Sequence, residues 1–354
     1  MTAPSAYQDD DYWPDFGILS LSDTGDVDEE SGPFSRYESK VQACGTFVHT
    51  GNGWLQGSAG DGPHVVRVES HTAAPPDDTA EWEDVVEVPY RSLSGEVRLE
   101  ILTGGPIGDA VALAGPGPYR VRVARRPVPD DDELEDLWLL RFRPAEPEPP
   151  RWFRRGQRAV AAADPGWRSL FAHDVTDLLW AVWAAGDESG GATLEAVREW
   201  GVRHQRAAEW LDQPLTAPQS HQIDPAEIAR QLGVPAPSRL AGMLDVLVAA
   251  GLLVLDDGRY HSPAVTPNPE DVLDLPAEHV ARLVEQRDHD RYGSFAADLV
   301  SVALWGGTTQ TLAALAERTL VPEPDVRATL AWAEHRGLLR VEGALDGTFV
   351  MTCA

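Results

Sequence analysis

Two stretches in the carboxy-terminal half repeat one pattern of apolar residues and glycine. In each copy three apolar side chains share one face of a helix and a glycine follows: Leu240, Leu244, Leu247 and Gly251 in the first, and Val326, Leu330, Ala333 and Gly337 in the second. The two glycines are 86 residues apart, and each precedes a pair of leucines. Two separate segments must therefore adopt the same local structure, which constrains the fold strongly.

The residues around each copy predict a short helix, a second helix and a two-stranded hairpin. In the first copy, Asp224 and Glu227 form a capping box, and Gly233 supplies the left-handed exit of the short helix. Asp257 and Gly258 suit a two-residue hairpin turn. A further apolar helix is predicted before each copy, in DVTDLLWAVWAA and in FAADLVSVALW.

This order of elements resembles the tandem winged helix-turn-helix proteins over about residues 170–354. The resemblance implies, for each unit, a recognition helix for the major groove of DNA and a wing for the neighbouring backbone. It predicts a first winged-helix unit at 166–265 and a second at 266–354. An insertion at 187–221 departs from the compact pattern of this family.

The resemblance also indicates which side chains face a partner. The candidates for contact with DNA or with a protein are Ser238, Arg239, Arg259, Arg327 and Arg336. Acidic residues match or outnumber basic ones at the outward positions of both predicted recognition helices. DNA readers place Arg, Lys, Asn or Gln there, because these side chains reach base edges and phosphates. The pattern therefore favours a protein partner over DNA.

From about residue 40 to residue 147, apolar and polar side chains alternate with a period of two, which predicts strands within a domain at 31–147. The predicted strands lie in VQACGTFVHT, HVVRVES, EDVVEVPYRS, GEVRLEILT, YRVRVARR and LWLLRFRP. Their number and spacing favour an antiparallel β-sandwich, which the sequence assigns to no family. The predicted fold class is thus α+β and multidomain: an amino-terminal antiparallel β-sandwich followed by a mainly helical tandem winged-helix region.

Two of these strands each carry a pair of arginines on one face, namely Arg120 with Arg122 and Arg141 with Arg143. If the strands pair through the acidic loop at 130–136, the four arginines form a basic stripe that could contact an acidic partner or an anion. The alternative, which the pattern favours, is cross-strand pairing with glutamates such as Glu96 or Glu100.

The remaining segments are interpreted from their composition. Residues 1–30 are acidic and poor in aliphatic side chains, which predicts a mobile tail. The glycine-rich stretch at 51–62 is interpreted as a loop. Four prolines within seven residues begin a stiff segment, and the linker is predicted at 148–165.

Two aromatic clusters each allow two interpretations. RWFRRGQR at 151–158 could stack on nucleic-acid bases, or could dock the linker onto an acidic neighbouring domain, which the composition favours. Trp180 and Trp183 make their helix apolar nearly all round, which favours a central, buried helix. An exposed aromatic patch for a partner is the alternative.

Charge and motifs narrow the classes of function. The chain has 57 acidic against 29 basic side chains and a formal net charge of -28. Duplex DNA binding depends on neutralising phosphates, so this charge disfavours it. No nucleophile elbow, phosphate-binding loop, dinucleotide fingerprint or zinc signature occurs, so no enzyme, metal site or cofactor is predicted. The amino terminus lacks a signal-peptide pattern and no apolar run could span a bilayer, which predicts a cytoplasmic protein without membrane contact.

Two functional hypotheses follow. The first is a non-enzymatic cytoplasmic regulatory or interaction protein whose acidic winged-helix units dock a protein partner with a basic surface. A special case is an immunity-type inhibitor of a basic toxin or nuclease. The second is a winged-helix transcription regulator that dimerises on DNA and senses a ligand through its β-sandwich. Arginines held in intramolecular ion pairs would favour the first hypothesis, and a continuous basic face would favour the second.

Overall fold

The computed structural model describes residues 5–25, 47–60, 62–128, 134–156, 166–186, 191–204, 223–263, 277–306 and 309–354. The chain forms two compact units. Unit 1 consists of Met1–Ala161 and His289–Ala354, and unit 2 consists of Ala162–Asp288. A strand-rich amino-terminal region precedes a mainly helical region, which confirms the predicted α+β class.

Two β-sheets form the amino-terminal part of unit 1. Their strands are β1 (Ser5–Tyr12), β2 (Ile18–Asp23), β3 (Val48–Thr50), β4 (Trp54–Ser58), β5 (His64–Ser70), β6 (Asp84–Ser92), β7 (Glu96–Ile101), β8 (Gly105–Ala112), β9 (Gly117–Pro127), β10 (Asp136–Pro144) and β11 (Arg151–Arg154). Sheet A has the order β1-β5-β10-β9-β6-β11. Sheet B has the order β3-β4-β2-β7-β8.

The prediction that the β region is antiparallel is wrong for one pair of strands. β5 and β10 run parallel, with Val66 opposite Trp138. A parallel pair requires a crossover of a dozen or more residues, and the segment from β6 to β9 supplies it. The period-two pattern shows where strands lie but carries no information about this connection.

One core holds the two sheets together. Leu21 and Leu55 of sheet B and Val68, Trp138 and Leu140 of sheet A belong to a single cluster of buried side chains. Because successive side chains in a strand point to opposite faces, the polar residues between them point away from this core. Full burial of one such side chain contributes about 1.5–3 kcal/mol.

Residues 5–25, which the composition places in a mobile acidic tail, form strands β1 and β2. Tyr12, Leu19 and Leu21 are almost completely buried in the shared core. β1 lies at the edge of sheet A, where Asp10 and Asp11 are exposed. Charged side chains commonly protect edge strands from pairing with other chains. The acidic residues of β1 are therefore consistent with its position at the edge of sheet A.

Two further segments belong to strands where the sequence predicts a loop and a linker. Trp54–Ser58, within the glycine-rich stretch, is strand β4 and pairs with β2 and β3. Arg151–Arg154 is strand β11 and pairs with β6 at the edge of sheet A. Both strands are short, so the period-two signal is weak in them.

Unit 2 is mainly helical. Its elements are α1 (Gly166–Asp174), α2 (Thr176–Ala184), α3 (Leu194–His204), α4 (Pro225–Leu232), α5 (Leu240–Ala249), β12 (Val254–Asp256) and β13 (Arg259–His261). The long helix α6 (Ala277–Gly306) belongs to unit 2 up to Asp288 and to unit 1 from His289. Helix α3 lies inside the predicted insertion at 187–221.

The carboxy-terminal elements of unit 1 repeat the order found in unit 2. They are β14 (Thr309–Gln310), α7 (Leu312–Thr319), α8 (Glu323–His335), β15 (Leu339–Gly343) and β16 (Phe349–Cys353). Both copies therefore contain a short helix, a second helix and a hairpin, as the repeated pattern predicts. In the part of the chain that the structure describes, no helix is long and apolar enough to cross a membrane.

The predicted turn residues adopt the expected conformations. Asp224 caps α4 by accepting a hydrogen bond from the Ala226 N–H, and Gly233 ends this helix with a φ of 73°. Asp257 and Gly258 both have positive φ, as a two-residue hairpin turn requires. The second half of the capping box is wrong, because the Glu227 carboxylate accepts hydrogen bonds from Arg230 and Gln231 instead.

Removing a core side chain of β2 tests whether this strand belongs to the fold. Leu21→Ala should lower the free energy of unfolding by about 2–5 kcal/mol, because Leu21 is completely buried. The matched control is Leu255→Ala, at an exposed position of β12, which should change it by less than about 0.5 kcal/mol. Denaturant unfolding measures both values. If Leu21→Ala lowered the free energy of unfolding no more than Leu255→Ala does, the amino-terminal strands would not contribute to the stability of the fold.

His49 of β3 should make stability depend on pH. His49 is buried, and its ring nitrogens make no hydrogen bond with any residue the structure describes. Burial lowers the pKa of His49 to about 4, whereas the unfolded chain keeps a value of about 6.5. As the pH falls, the unfolded state therefore protonates His49 at a higher pH than the folded state does. Up to about 3 kcal/mol of stability is lost between about pH 6.5 and about pH 4.

The measurement compares the pH dependence of unfolding in His49→Leu and in the wild type. The variant should lose less stability than the wild type over this range. His173→Leu, at an exposed position, should retain the wild-type dependence. Identical pH profiles for His49→Leu and the wild type would contradict the burial of a neutral imidazole.

Candidate functional site

The outer face of sheet A brings together the four arginines that the sequence singles out. β9 and β10 pair so that Arg122 lies opposite Arg141, and Arg120 lies opposite Arg143. Each arginine alternates with a core residue and therefore points away from the core. We call these four residues the arginine patch.

Glu87 of β6 lies among three members of the arginine patch. Its Oε1 accepts hydrogen bonds from Arg120 Nε at 3.1 Å and from Arg143 Nη2 at 3.0 Å. Its Oε2 lies 3.6 Å from Arg122 Nη2. Glu87 and Arg120 are buried, and this burial lowers the pKa of Arg120, an effect that Glu87 opposes. One internal carboxylate thus offsets part of the charge of three guanidinium groups.

Arg141, the fourth member, is paired with two other carboxylates. Its Nη1 and Nη2 donate to the two carboxylate oxygens of Asp78 at 2.8 and 2.6 Å, and its Nε donates to Glu69 at 3.3 Å. These bonds from Arg141 lower the pKa of Asp78. The partners suggested by the sequence, Glu96 and Glu100, lie on β7 of sheet B, so that pairing is wrong.

Glu87 and Asp78 were missed for different reasons. Glu87 occupies an outward position of an alternating strand, so the sequence predicts the face on which it lies. The sequence does not predict that β6 is the neighbour of β9. Asp78 precedes a short 3-10 turn at Thr79–Glu81, a segment without a periodic pattern.

In unit 2, the three candidate residues have different surroundings. Ser238 and Arg239 are exposed immediately before α5, and Arg239 is the N-cap residue of this helix. Arg259, at the start of β13, is half-buried, and its Nη1 donates a hydrogen bond to the Gly191 carbonyl at 3.2 Å. Arg259 is therefore engaged by a backbone carbonyl within unit 2.

In the second copy, both candidate arginines contact side chains of the same chain. The Arg327 guanidinium on α8 forms an ion pair with Asp346, in the turn between β15 and β16. The Arg336 guanidinium lies 6.0 Å from the ring centroid of Trp332.

Carboxylates are exposed around both hairpins and their helices: Asp256, Asp257, Glu323, Glu334, Glu342 and Asp346. Surface carboxylates at this density produce a negative potential. The two helix–helix–hairpin copies thus present acidic surfaces.

The arginines of the predicted linker also pair within unit 1. The Arg155 guanidinium hydrogen-bonds to Asp298 of α6 and lies 3.7 Å from the Trp152 ring centroid. Arg151 lies 3.6 Å from Glu317 of α7. Burial raises the pKa of Asp298, and Arg155 opposes this shift. Asp298 was not identified from the sequence, because only the fold brings α6 to β11.

Trp180 and Trp183 lie on the exposed face of α2, 41% and 68% exposed, so the prediction of an all-round buried helix is wrong. Leu178 and Val182 form the buried face of this helix. The Trp180 ring packs edge-on against Trp200 of α3, with centroids 4.8 Å apart. We call Trp180 and Trp183 the tryptophan pair.

The arrangement is an acidic surface with internally paired arginines and an exposed tryptophan pair. Among the residues described, no three or more His, Cys, Asp or Glu side chains are grouped to hold a metal ion.

Comparisons with known proteins place the chain in a family. The profile described as "Family of unknown function (DUF6042)" matches residues 163–345, just over half of the chain. The chain therefore belongs to the DUF6042 family. No curated protein matches the sequence significantly.

Two solved structures are similar to part of this chain. One is ComJ, an inhibitor of the DNA-degrading activity of NucA from Bacillus subtilis, with 10% identity and a TM-score of 0.31 over 41% of this chain and 100% of ComJ. The other is described as Crocagin biosynthetic gene J, with 14% identity and a TM-score of 0.24 over 39% of this chain and 94% of that protein. Both TM-scores are too low to transfer a fold or a role to this chain.

Removing the charge of Glu87 tests the ion pairs of the arginine patch. Glu87→Gln leaves the buried Arg120 guanidinium uncompensated, and should lower the free energy of unfolding by about 3–5 kcal/mol. Glu96→Gln, at an exposed position of β7, should change it by less than about 0.5 kcal/mol. Denaturant unfolding again provides the measurement. Equal losses in the two variants would contradict the assigned pairing.

Proposed function

We propose that this chain is a non-enzymatic, cytoplasmic interaction protein that docks a protein partner with a basic surface. The observation that carries the proposal is the pairing of its arginines. Arg259 binds a backbone carbonyl and Arg327 binds a carboxylate of the same chain. The arginine patch is held in the same way by Glu87, Glu69 and Asp78. Arg259, Arg327 and the arginine patch are thus engaged internally, whereas Arg239 is exposed.

Electrostatics supports a basic partner. A formal charge of -28 repels polyanions and attracts cationic surfaces at long range. Residues 165–354 contain 14 arginines and 27 acidic residues, which gives this part of the chain a charge of -13. Complementary charge accelerates association with a basic partner and disfavours acidic competitors.

We propose that the two helix–helix–hairpin copies are winged-helix units at 166–265 and 266–354, and that sheets A and B form a β-sandwich. The repeated order of elements supports the first assignment, together with positive φ at Gly251 and Gly337. The core shared by the two sheets supports the second. In this arrangement α5 and α8 correspond to the recognition helices.

The tryptophan pair gives the proposed interface an apolar anchor. Tryptophan is enriched among the side chains that dominate binding energy at protein interfaces. Trp183 is 68% exposed, and Asp177 on the same helix is also exposed. A helix that exposes both indoles and a carboxylate suits a partner surface that combines apolar and cationic side chains. An immunity-type inhibitor of a basic toxin or nuclease is the narrower form of this proposal.

The second candidate is a DNA-binding transcription regulator that dimerises and senses a ligand through its β-sandwich. One observation favours it: Ser238 and Arg239 are exposed at the start of α5, where a recognition helix would meet the major groove. Specific binding of this kind still requires phosphate contacts, and the nearby hairpin presents Asp256 and Asp257.

A titration with DNA separates the two candidates. Full-length protein is titrated into labelled random duplex DNA at about 50 and then about 200 mM salt, a range over which phosphate contacts lose most of their strength. We expect no saturable binding at either concentration. Asp346→Asn, which releases Arg327, should not create binding either. Tight binding at low salt that collapses at high salt would contradict the proposal and support the DNA-binding candidate.

A further inference from the structure

Unit 1 contains a cleft of about 310 Å³ between the strands and helix α6. This volume is at the lower end of the range of small-molecule sites. The rings of Phe47, Trp152 and Phe295 form its apolar walls. Aromatic walls of this kind favour flat or cationic ligands.

Two arginines already occupy aromatic faces of the cleft. Arg155 lies 3.7 Å from the Trp152 ring centroid, and Arg125 lies 4.7 Å from the Phe47 ring centroid. Each guanidinium also has its own carboxylate. Arg125 Nη2 donates to Asp84 at 2.8 Å, and Arg155 is paired with Asp298. Arg155 also lies 4.8 Å from the Phe295 ring centroid, so each aromatic wall already carries an internal guanidinium group.

A third carboxylate leaves the cleft with net negative charge. Glu83 also lines it and is exposed, and its side chain makes no ion pair or hydrogen bond with any residue the structure describes. With Asp84 and Asp298, the cleft has three carboxylates and two guanidinium groups. Because Asp84 and Asp298 are already paired, Glu83 is the carboxylate that would attract a cationic ligand and repel an anionic one.

We propose that this cleft binds a guanidinium group, with Glu83 as its charge partner. The group could belong to an arginine side chain of a protein or to a free guanidino compound. The cleft lies in unit 1, whereas the tryptophan pair lies in unit 2. The inference does not require the proposed docking function, and either proposal can fail alone.

Calorimetric titration of the full-length protein with N-acetyl-arginine amide tests the inference. The matched neutral probe is N-acetyl-citrulline amide, which keeps the shape and lacks the charge. We expect the arginine probe to bind saturably and the citrulline probe to bind at least about tenfold more weakly. Absence of saturable binding by the arginine probe, or equal binding of the two probes, would overturn the inference.

Variants locate the binding in the cleft. Glu83→Gln should weaken the arginine probe about tenfold, whereas Glu81→Gln, at an exposed neighbouring position outside the cleft, should not change its affinity. Ser294→Trp, at an exposed position of α6 that lines the cleft, should block it. Unchanged binding in both Glu83→Gln and Ser294→Trp would place the probe elsewhere and overturn the inference.

Two further probes identify the source of the group. Stronger binding of the peptide Gly-Gly-Arg-Gly-Gly than of agmatine would indicate an arginine of a protein, and the reverse would indicate a free guanidino compound. Either result supports the cleft as a guanidinium site.

Discussion

The pairing of arginines with internal carboxylates determines what this protein presents to its surroundings. A buried charge without a partner is strongly destabilising, because it loses its hydration. Arg120 is tolerated inside the protein because Glu87 and backbone carbonyls bind it. The same rule fixes Arg141 to Asp78 and Arg155 to Asp298. Arginines used in this way hold the fold together, and unpaired carboxylates form much of the charged surface.

The sequence predicted the regular elements better than their assembly. The period-two pattern located β5, β6, β7, β9 and β10, and the repeated glycines located both hairpins. The acidic composition concealed β1 and β2, because the few apolar residues of these strands, such as Tyr12 and Leu21, lie among acidic residues in the sequence. The parallel pairing of β5 and β10 depends on chain connection, which local patterns do not contain.

The candidate surface was predictable to a similar extent. Alternation placed each pair of arginines on one face of its own strand, and strand pairing brought the two pairs together. Their partners depend on which strands are neighbours, so Glu87 could not be distinguished in advance from Glu96. For α2, counting apolar residues suggested full burial, whereas the helix has one buried face and leaves Trp183 exposed.

Photo-crosslinking tests whether this protein docks a protein partner with a basic surface. A photoreactive phenylalanine analogue replaces Trp183 in the full-length protein expressed in its own cells, and another replaces Phe16, which is 79% exposed in unit 1, as the control. We expect position 183 to crosslink a protein with more Lys and Arg than Asp and Glu, and position 16 not to crosslink it. Crosslinking of DNA, or of an acidic protein, from position 183 would contradict this expectation.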